Sequence, residues 1–518
     1  MRPGAADLPS VKKDAMAGGA GTGLLRPSRT CYLTVISTAF WGLILYLQST
    51  MQGNIAAISL NPSAFSLPTL PPWLTSVGQD RCAGRRVYMY DLPPRFNADL
   101  VPDYCRMWSL CRATENGGFG PELPGGEGGA LPERGSYDTE MYMLEMIFHT
   151  RMRHYECLTV DAAAADAVFV PYYAGFDAAM NIWKSDLAPR DALSRDLVDW
   201  LQRRPEWRAM GGRDHFLVVA RGSWDFLRTT DDGWGNALLA LPAIRNTTVL
   251  TTEASPWLGN DFAVPFPSHF HPASDADVLR WQDHVRRLER RWLWAFAGAP
   301  RPGNATVRAQ IIEQCSRSSA CSLLGRNRSN SSNTEFLKKN NNSPGPIMRL
   351  LESAEFCLQP TGDGYTRKST FDAILAGCIP VFFHPVSAYT QYLWHLPRDY
   401  RSYSVFIPKA DVSRRNVSIE AVLRKIPPAT VARMREEVIR LIPSVMYKDP
   451  AAKQAKFKDA FDITLEAVLR RVAKRRRAAA EGRREYQDGV DGPDSWKYDL
   501  LEDGQTRVVG PHELDPYM

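Results

Sequence analysis

Residues 356–385 read FCLQPTGDGYTRKSTFDAILAGCIPVFFHP. The order of residue types within this stretch predicts a strand, a loop, a helix and a second strand. Phe356–Leu358 is a short apolar run, and Pro360-Thr361-Gly362-Asp363-Gly364 gathers turn formers. From Ser369 to Ala376 the residues suit a helix, Gly377 supplies its stop, and Ile379–Phe383 reads as the next buried strand. Such a βαβ unit puts its strand-to-helix loop at the carboxyl edge of a sheet, where open α/β sheets bind ligands. Loop N–H groups and a helix N-terminus favour a diphosphate. Gly362 lies in that loop, Arg367 and Lys368 bring cations to the same point, and Asp372 stands one turn into the helix, suited to a ribose diol. A nucleoside diphosphate is the ligand class predicted, against the alternative of a structural turn. Neither Gly-x-Gly-x-x-Gly nor Gly-Lys-Ser/Thr is present, which argues against dinucleotide and P-loop sites.

At 518 residues, 44% apolar and 23% charged, the chain is long enough for two sizeable cores and ordinary in composition. Its net charge of +6 is modest. The basic run Lys474–Arg477 lacks interleaved aromatics, so it reads as a solvated helix end and no nucleic-acid partner is expected. One segment leaves the globular pattern: CYLTVISTAFWGLILYL, residues 31–47, carries no charge. Arg2, Lys12, Lys13, Arg26 and Arg29 precede it, and no Lys or Arg follows until Arg81. These features predict a cytosolic tail at 1–30, an uncleaved transmembrane signal-anchor at 31–49 and a luminal remainder. Six Asn-x-Ser/Thr acceptors, at Asn246, Asn304, Asn327, Asn330, Asn341 and Asn416, agree with that topology. Cys31 lies in the anchor, and the eight other cysteines are expected to pair in an oxidising compartment, in a connectivity that spacing does not reveal.

Residues 50–84 read as a Ser/Pro-rich stem. From 85 to 290, strand candidates (Val87–Tyr90, Ala167–Val170, Phe216–Val219, Val249–Thr251) alternate with helical stretches (Thr139–Met152, Asp191–Leu201). That alternation predicts a parallel sheet covered on both faces. The Gly/Pro-rich residues 115–136 are expected to form a surface loop. A second domain, 291–475, opens at Trp292–Gly298 and contains a helix at 307–314 and the quoted stretch. Late in it, Phe457, Phe461, Leu465, Val468 and Val472 share one helical face, read as a core face. Residues 476–518 are expected to be a loose polar tail.

Several blocks in order, VYMYDLPPRFN, LEMIFHTRMRHYECLT, ADAVFVPYYAGFD, GRDHFLVVARGSWDF, TTEASPW, RRWLWAFAGAPRP and the opening stretch, resemble the exostosin-type glycosyltransferases of family 47. The resemblance covers about residues 85–475 and is nearest to the plant xyloglucan galactosyltransferases. It implies a GT-B type α/β fold: two facing Rossmann-like domains, the first on the acceptor side and the second binding the nucleotide sugar. It also implies a disulfide between Cys315 and Cys321. Two departures stand out. Gly364 and Lys368 occupy positions where relatives usually carry Ser and Arg, and a Lys lacks the planar fork that grips a phosphate twice. The Asn-rich stretch 325–345 replaces a second cysteine pair.

The same resemblance implies an inverting transfer of β-galactose from UDP-galactose to xylosyl side chains of xyloglucan in the Golgi. Galacturonic acid or arabinose as the transferred sugar is the enzymatic alternative, and a non-catalytic polysaccharide-binding partner the other. The partners expected are a UDP-sugar, a polysaccharide acceptor, the membrane and other Golgi glycosyltransferases. No cofactor and no metal is expected, because Asp275-Ala276-Asp277, the lone D-x-D, reads as a solvated helix start. Arg301, after the strand ending near Gly298, and Arg367 are instead expected to stabilise departing UDP. Three residues are candidates for the base: His149 on a helix, Glu253 at the carboxyl end of a strand, and Asp225 in Gly222-Ser223-Trp224-Asp225. Trp224, Trp257 and the pair Tyr172-Tyr173 are candidate stacking surfaces for a glucan.

Overall fold

Strongly apolar runs such as AVFV at 167–170 and IPVF at 379–382 show no polar alternation, as expected of strands buried on both faces. They form two all-parallel sheets. The first holds β1 (Val87–Met89), β2 (Leu158–Thr159), β3 (Ala167–Val170), β4 (His215–Gly222), β5 (Thr248–Glu253) and β6 (Asp261–Ala263), in the order β2-β1-β3-β4-β5-β6. The second holds β7 (Trp292–Ala297), β8 (Cys321–Leu324), β9 (Ala354–Gln359), β10 (Ile379–Phe382) and β11 (Val405–Phe406), in the order β11-β10-β9-β7-β8. β11 pairs only with Val381 and Phe382, so Pro380 keeps one open side for its missing donor.

The computed structural model describes residues 80–256, 258–299, 306–324, 343–452, 455–482, 499–502 and 505–508. The anchor at 31–49, the stem up to residue 79, Arg301, Trp257, Asn304, Asn327, Asn330 and Asn341 lie outside the described residues. Among the described residues, no helix is long and apolar enough to cross a membrane.

The helices that matter for the site are α1 (Leu144–Arg153), α2 (Ala174–Asn181), α3 (Asp275–Arg287), α4 (Val307–Arg317), α5 (Lys368–Leu375) and α6 (Ala460–Ala480). α1 starts five residues later than the sequence predicts. The Thr139 hydroxyl is engaged with the Phe119 carbonyl at 2.7 Å and with His271 at 2.8 Å, which holds the chain out of helical geometry there.

α6 returns to the N-terminal half. Phe461, Leu465, Val468 and Val472 are buried with Phe148, Phe169 and Phe216 under the first sheet, whereas Phe457 packs on the other core. A capping box at Asp459 and Asp462 opens the helix, and buried Arg151 donates to Asp459 at 3.1 Å. The basic run is not simply solvated. Arg475 donates to the carbonyls of Arg213 and Asn246, and Arg476 pairs with Asp214 at 3.3 Å.

Two other expectations change. Residues 115–136 are not only surface: Ala130 and Leu131 are buried in the second core, and a side chain at Gly126, whose φ is +59°, would overlap the Leu131 carbonyl. The tail contains a short antiparallel strand pair, Asp499–Glu502 with Gln505–Val508. All eight cysteines outside the anchor are paired, as Cys82–Cys157, Cys105–Cys111, Cys315–Cys321 and Cys357–Cys378. The last pair joins β9 to the residue just before β10, bracketing α5.

Candidate active site

In the second sheet the chain runs from β7 outward to β8, then crosses back over β7 to β9. The carboxyl ends of β7 and β9 therefore form a topological switch point, the crevice where such sheets bind ligands. The loop after β9 is the one singled out from sequence. Its stem is fixed by paired bonds: Gln359 accepts from the Ser369 hydroxyl at 2.6 Å and donates to the Ser369 carbonyl at 3.2 Å. Across the crevice, Arg308 near the start of α4 donates to the Thr361 carbonyl at 2.9 Å and reaches the carbonyls of Pro360 and Ala299. Sequence reading missed Arg308. Its signal was available: a cation in the first turn of a helix opposes the helix dipole, so some other contact must hold it there.

Arg367 is the N-cap residue of α5 and makes no side-chain capping bond, so the positive end of the helix dipole opens toward the loop. Its guanidinium lies over Gly362: a Cβ at 362 would overlap it. Glycine at 362 therefore lets the guanidinium take this position, and its φ is not in the left-handed region.

Lys368 and Asp372 serve a different arrangement from the one the sequence implies. The Lys368 ammonium donates to both Asp372 oxygens, at 2.9 and 3.1 Å, and to Nε2 of His269 at 2.8 Å. The Ser268 hydroxyl adds a bond to Asp372 at 2.8 Å. His269 donates from Nδ1 to the Tyr137 carbonyl, which leaves Nε2 as an acceptor. Burial, with the Lys368 charge adding to it, pushes the His269 pKa down to about 4, so the ring is neutral and suited to that role. Lys368 thus joins α5 to the segment after β6.

The three base candidates separate sharply. Glu253, last residue of β5, is brought to the loop. Its Oε2 accepts from the Thr366 N–H at 2.8 Å and from the Thr366 hydroxyl at 2.7 Å, while Oε1 has no hydrogen-bond partner among the described residues. Gly364 gives it room, because a side chain there would strike the same carboxylate. His149 is buried on α1 beside Phe169, bonded through Nδ1 to the Tyr173 hydroxyl at 2.9 Å, and burial lowers its pKa to about 4. Asp225 is buried with both oxygens occupied, by Arg221 at 2.5 Å and by the Trp234 indole N–H at 2.7 Å. Of the three, Glu253 alone is hydrogen-bonded to the donor loop among the described residues.

Among the stacking candidates, Tyr172 and Tyr173 are buried, and their hydroxyls bond Asp177 and His149. Trp224 is exposed. A further residue missed from sequence is His384, just past β10, whose ring lies 4.6 Å from that of Tyr365 in the loop. Its Nδ1 accepts from the Val386 N–H, and buried Nε2 has no hydrogen-bond partner among the described residues.

The end of β5 is one of the places where the two halves are clasped. Thr252, Glu253 and Ala254 in succession take partners from the C-terminal half: the Tyr392 hydroxyl at 3.0 Å, Thr366, and the reciprocal Gln391 amide pair at 2.8 Å each. Asp275 and Asp277 sit at the start of α3, where Asp275 accepts from the N–H groups of Lys456 and Phe457 and Asp277 pairs with Arg280. Among the described residues, no group of three or more His, Cys, Asp or Glu could hold a metal ion.

The amino-acid sequence is similar to those of known proteins. The xyloglucan galactosyltransferase MUR3 of Arabidopsis thaliana is 49% identical over 445 residues, covering 85% of this chain and 70% of that protein. Xyloglucan-specific galacturonosyltransferase 1 of Arabidopsis thaliana is 39% identical over 420 residues, covering 78% of this chain and 60% of that protein. Likeness to solved structures is weak. A sucrose-phosphate synthase from Thermosynechococcus elongatus has 11% identity and a TM-score of 0.29, covering 68% of this chain and 82% of that one, so the α/β description rests on the strand topology itself. The Exostosin GT47 domain model matches residues 81–423, and with these identities over most of its length the chain belongs to the exostosin GT47 family of glycosyltransferases.

Proposed function

We propose that the chain is an inverting galactosyltransferase that joins galactose from UDP-galactose, in β linkage, to xylosyl side chains of xyloglucan. The observation that carries this reading is the meeting of a diphosphate-type loop at a sheet switch point with the carboxylate of Glu253 from the facing half. In the displacement, Glu253 takes the proton of the acceptor hydroxyl, and that oxygen attacks the anomeric carbon from the face opposite UDP. The bond to the diphosphate breaks, and its electron pair leaves with UDP. Arg367, Arg301 and the uncapped N-terminus of α5 offset the charge that develops. No metal is required in this scheme.

The named acceptor and sugar of the 49% identical relative support the substrate assignment. The galacturonosyl relative keeps a second donor in play. On the same reading residues 31–49 anchor the chain in the Golgi membrane with its catalytic part luminal, which the basic flank, the sequons and four disulfides support.

The deciding experiment incubates the detergent-purified full chain with UDP-galactose, UDP-galacturonic acid or UDP-arabinose and xyloglucan oligosaccharides, read by mass spectrometry. Galactose transfer is expected, with a β linkage by NMR. Transfer of galacturonic acid alone would reassign the donor, and no transfer of any sugar would overturn the reading. Removal of N-glycans should increase gel mobility, and an unchanged band would remove the luminal assignment.

A further inference from the structure

Among the described residues, three of the four exposed tryptophans stand together. Trp183 follows α2 and is 67% exposed, and Trp224 and Trp234, in the segment after β4, are each 41% exposed. The Trp183 and Trp234 rings are 4.8 Å apart at 77°, and those of Trp224 and Trp234 are 6.4 Å apart with planes within 30°. Trp224 and Trp234 thus offer two similarly oriented faces, and Trp183 stands against them as a wall. Contiguous exposed aromatic surface of this kind marks a binding site more often than chance exposure does.

The cluster is held rigidly from below. The Trp234 indole N–H is fixed on Asp225, and Arg221 fixes the other oxygen of that carboxylate. Gly235, with φ +83°, lies so close to the Asp225 carbonyl that any side chain there would overlap it, and Gly222 leaves the space that the Trp224 indole fills. Rings locked this way lose little entropy when a ligand lands on them.

The cluster is also continuous with the transfer site. Gly222, two residues before Trp224, pairs in register with Glu253. Arg221, which holds Asp225 beneath the tryptophans, lies over the Tyr142 ring at 5.1 Å.

We propose that Trp183, Trp224 and Trp234 form a platform on which the glucan backbone of the acceptor stacks, holding a branched chain while one side branch enters the transfer site. This rests on the acceptor assigned above. The occupant follows from chemistry. The flat, C–H-bearing faces of β-linked glucose rings complement the electron-rich faces of indoles. The charged rim, with Asp231, Asp232 and Lys184, does not match an apolar lipid surface.

The test uses the full chain carrying Trp183→Ala with Trp224→Ala, and Trp183→Tyr as the aromatic rescue. Trp234 is left in place because its loss would strip a partner from buried Asp225. With long xyloglucan as acceptor, KM should rise about tenfold or more in the double variant, with kcat at saturation little changed. Trp183→Tyr should recover most of the affinity, and UDP affinity by calorimetry reports the donor half separately. An unchanged KM in an active double variant would overturn the platform. Its independence from the transfer reaction is checked with an unbranched β-1,4-glucan oligosaccharide by calorimetry. Binding by the wild type that the double variant loses supports the platform even if no sugar is transferred, and no binding by the wild type overturns it.

Discussion

The carboxylate of Glu253 accepts both the backbone N–H and the hydroxyl of Thr366, at 2.8 and 2.7 Å, and so ties the last residue of β5 to the donor loop of the facing half. The same residue thus combines two possible roles, a latch between sheets and the base of the displacement. Gln is nearly the same size and keeps an acceptor oxygen for Thr366, yet it cannot take a proton. Turnover of Glu253→Gln should fall by roughly 10²–10⁴-fold while UDP affinity by calorimetry stays within a few-fold. Near-wild-type turnover would leave Glu253 as a latch only.

Gly362 and Arg367 are coupled by close approach, which predicts a non-additive pair. Arg367→Ala should lower turnover by on the order of 10²-fold, through loss of charge stabilisation at departing UDP. Gly362→Ala should act by displacing the same guanidinium. The double variant should then be no worse than Arg367→Ala alone, as a cycle of steady-state rates would show. Additive losses would separate the two residues.

Asp372 is buried and pairs with half-buried Lys368, so its removal leaves that ammonium without its carboxylate beside a neutral His269. Asp372→Ala should destabilise the protein by roughly 1–3 kcal/mol in denaturant unfolding. Adding Lys368→Met should recover much of that stability. UDP binding should stay weakened in the double variant if Asp372 also serves the ribose, by about 1.5–3 kcal/mol per lost charge-assisted bond. Full UDP affinity in a folded double variant would make Asp372 purely structural.

Saturating chelator should leave most of the transfer activity, because the proposed partners of the diphosphate are guanidinium groups and helix N–H groups rather than carboxylates. Activity lost to chelator and restored by Mn²⁺ would overturn this and direct attention to Asp275 and Asp277.

Glu145 predicts a pH signature of stability. Its Oε1 accepts from the N–H groups of Gly175 at 2.6 Å and Ala220 at 3.0 Å, its Oε2 is buried with no hydrogen-bond partner among the described residues, and burial raises its pKa from 4.5 to about 8. Between those values the native state keeps a proton that the unfolded state has released. Its stabilising contribution is therefore complete below 4.5 and is lost as pH rises through about 8, at up to about 1.4 kcal/mol per unit. Glu145→Gln should show no such loss, so its melting temperature should gain on the wild type as pH rises from 5 to 8. Parallel curves would mean that Glu145 ionises normally in the fold.

Sequence alone determined the parts of this protein that depend on local pattern. The apolar runs at 167–170 and 379–382, the turn formers at 360–364 and the stop at Gly377 each encode backbone conformation within a few residues, and the strands and α5 follow from them. The donor loop was legible for the same reason, as its Gly residues, Arg367 and the helix start are contiguous. What contiguity could not give is the direction of long side chains across the fold. Arg308 reaches the loop from 53 residues away, Thr366 meets Glu253 across 113, and His269 captures Lys368 across 99. Nothing in the local pattern distinguishes a Lys that grips phosphate from one that pairs with Asp372. Likewise His149, Glu253 and Asp225 were equivalent as titratable residues in family-like blocks. Only the packing of the two sheets, with α6 crossing back beneath the first, left Glu253 facing the loop, buried His149 against Phe169, and filled both oxygens of Asp225.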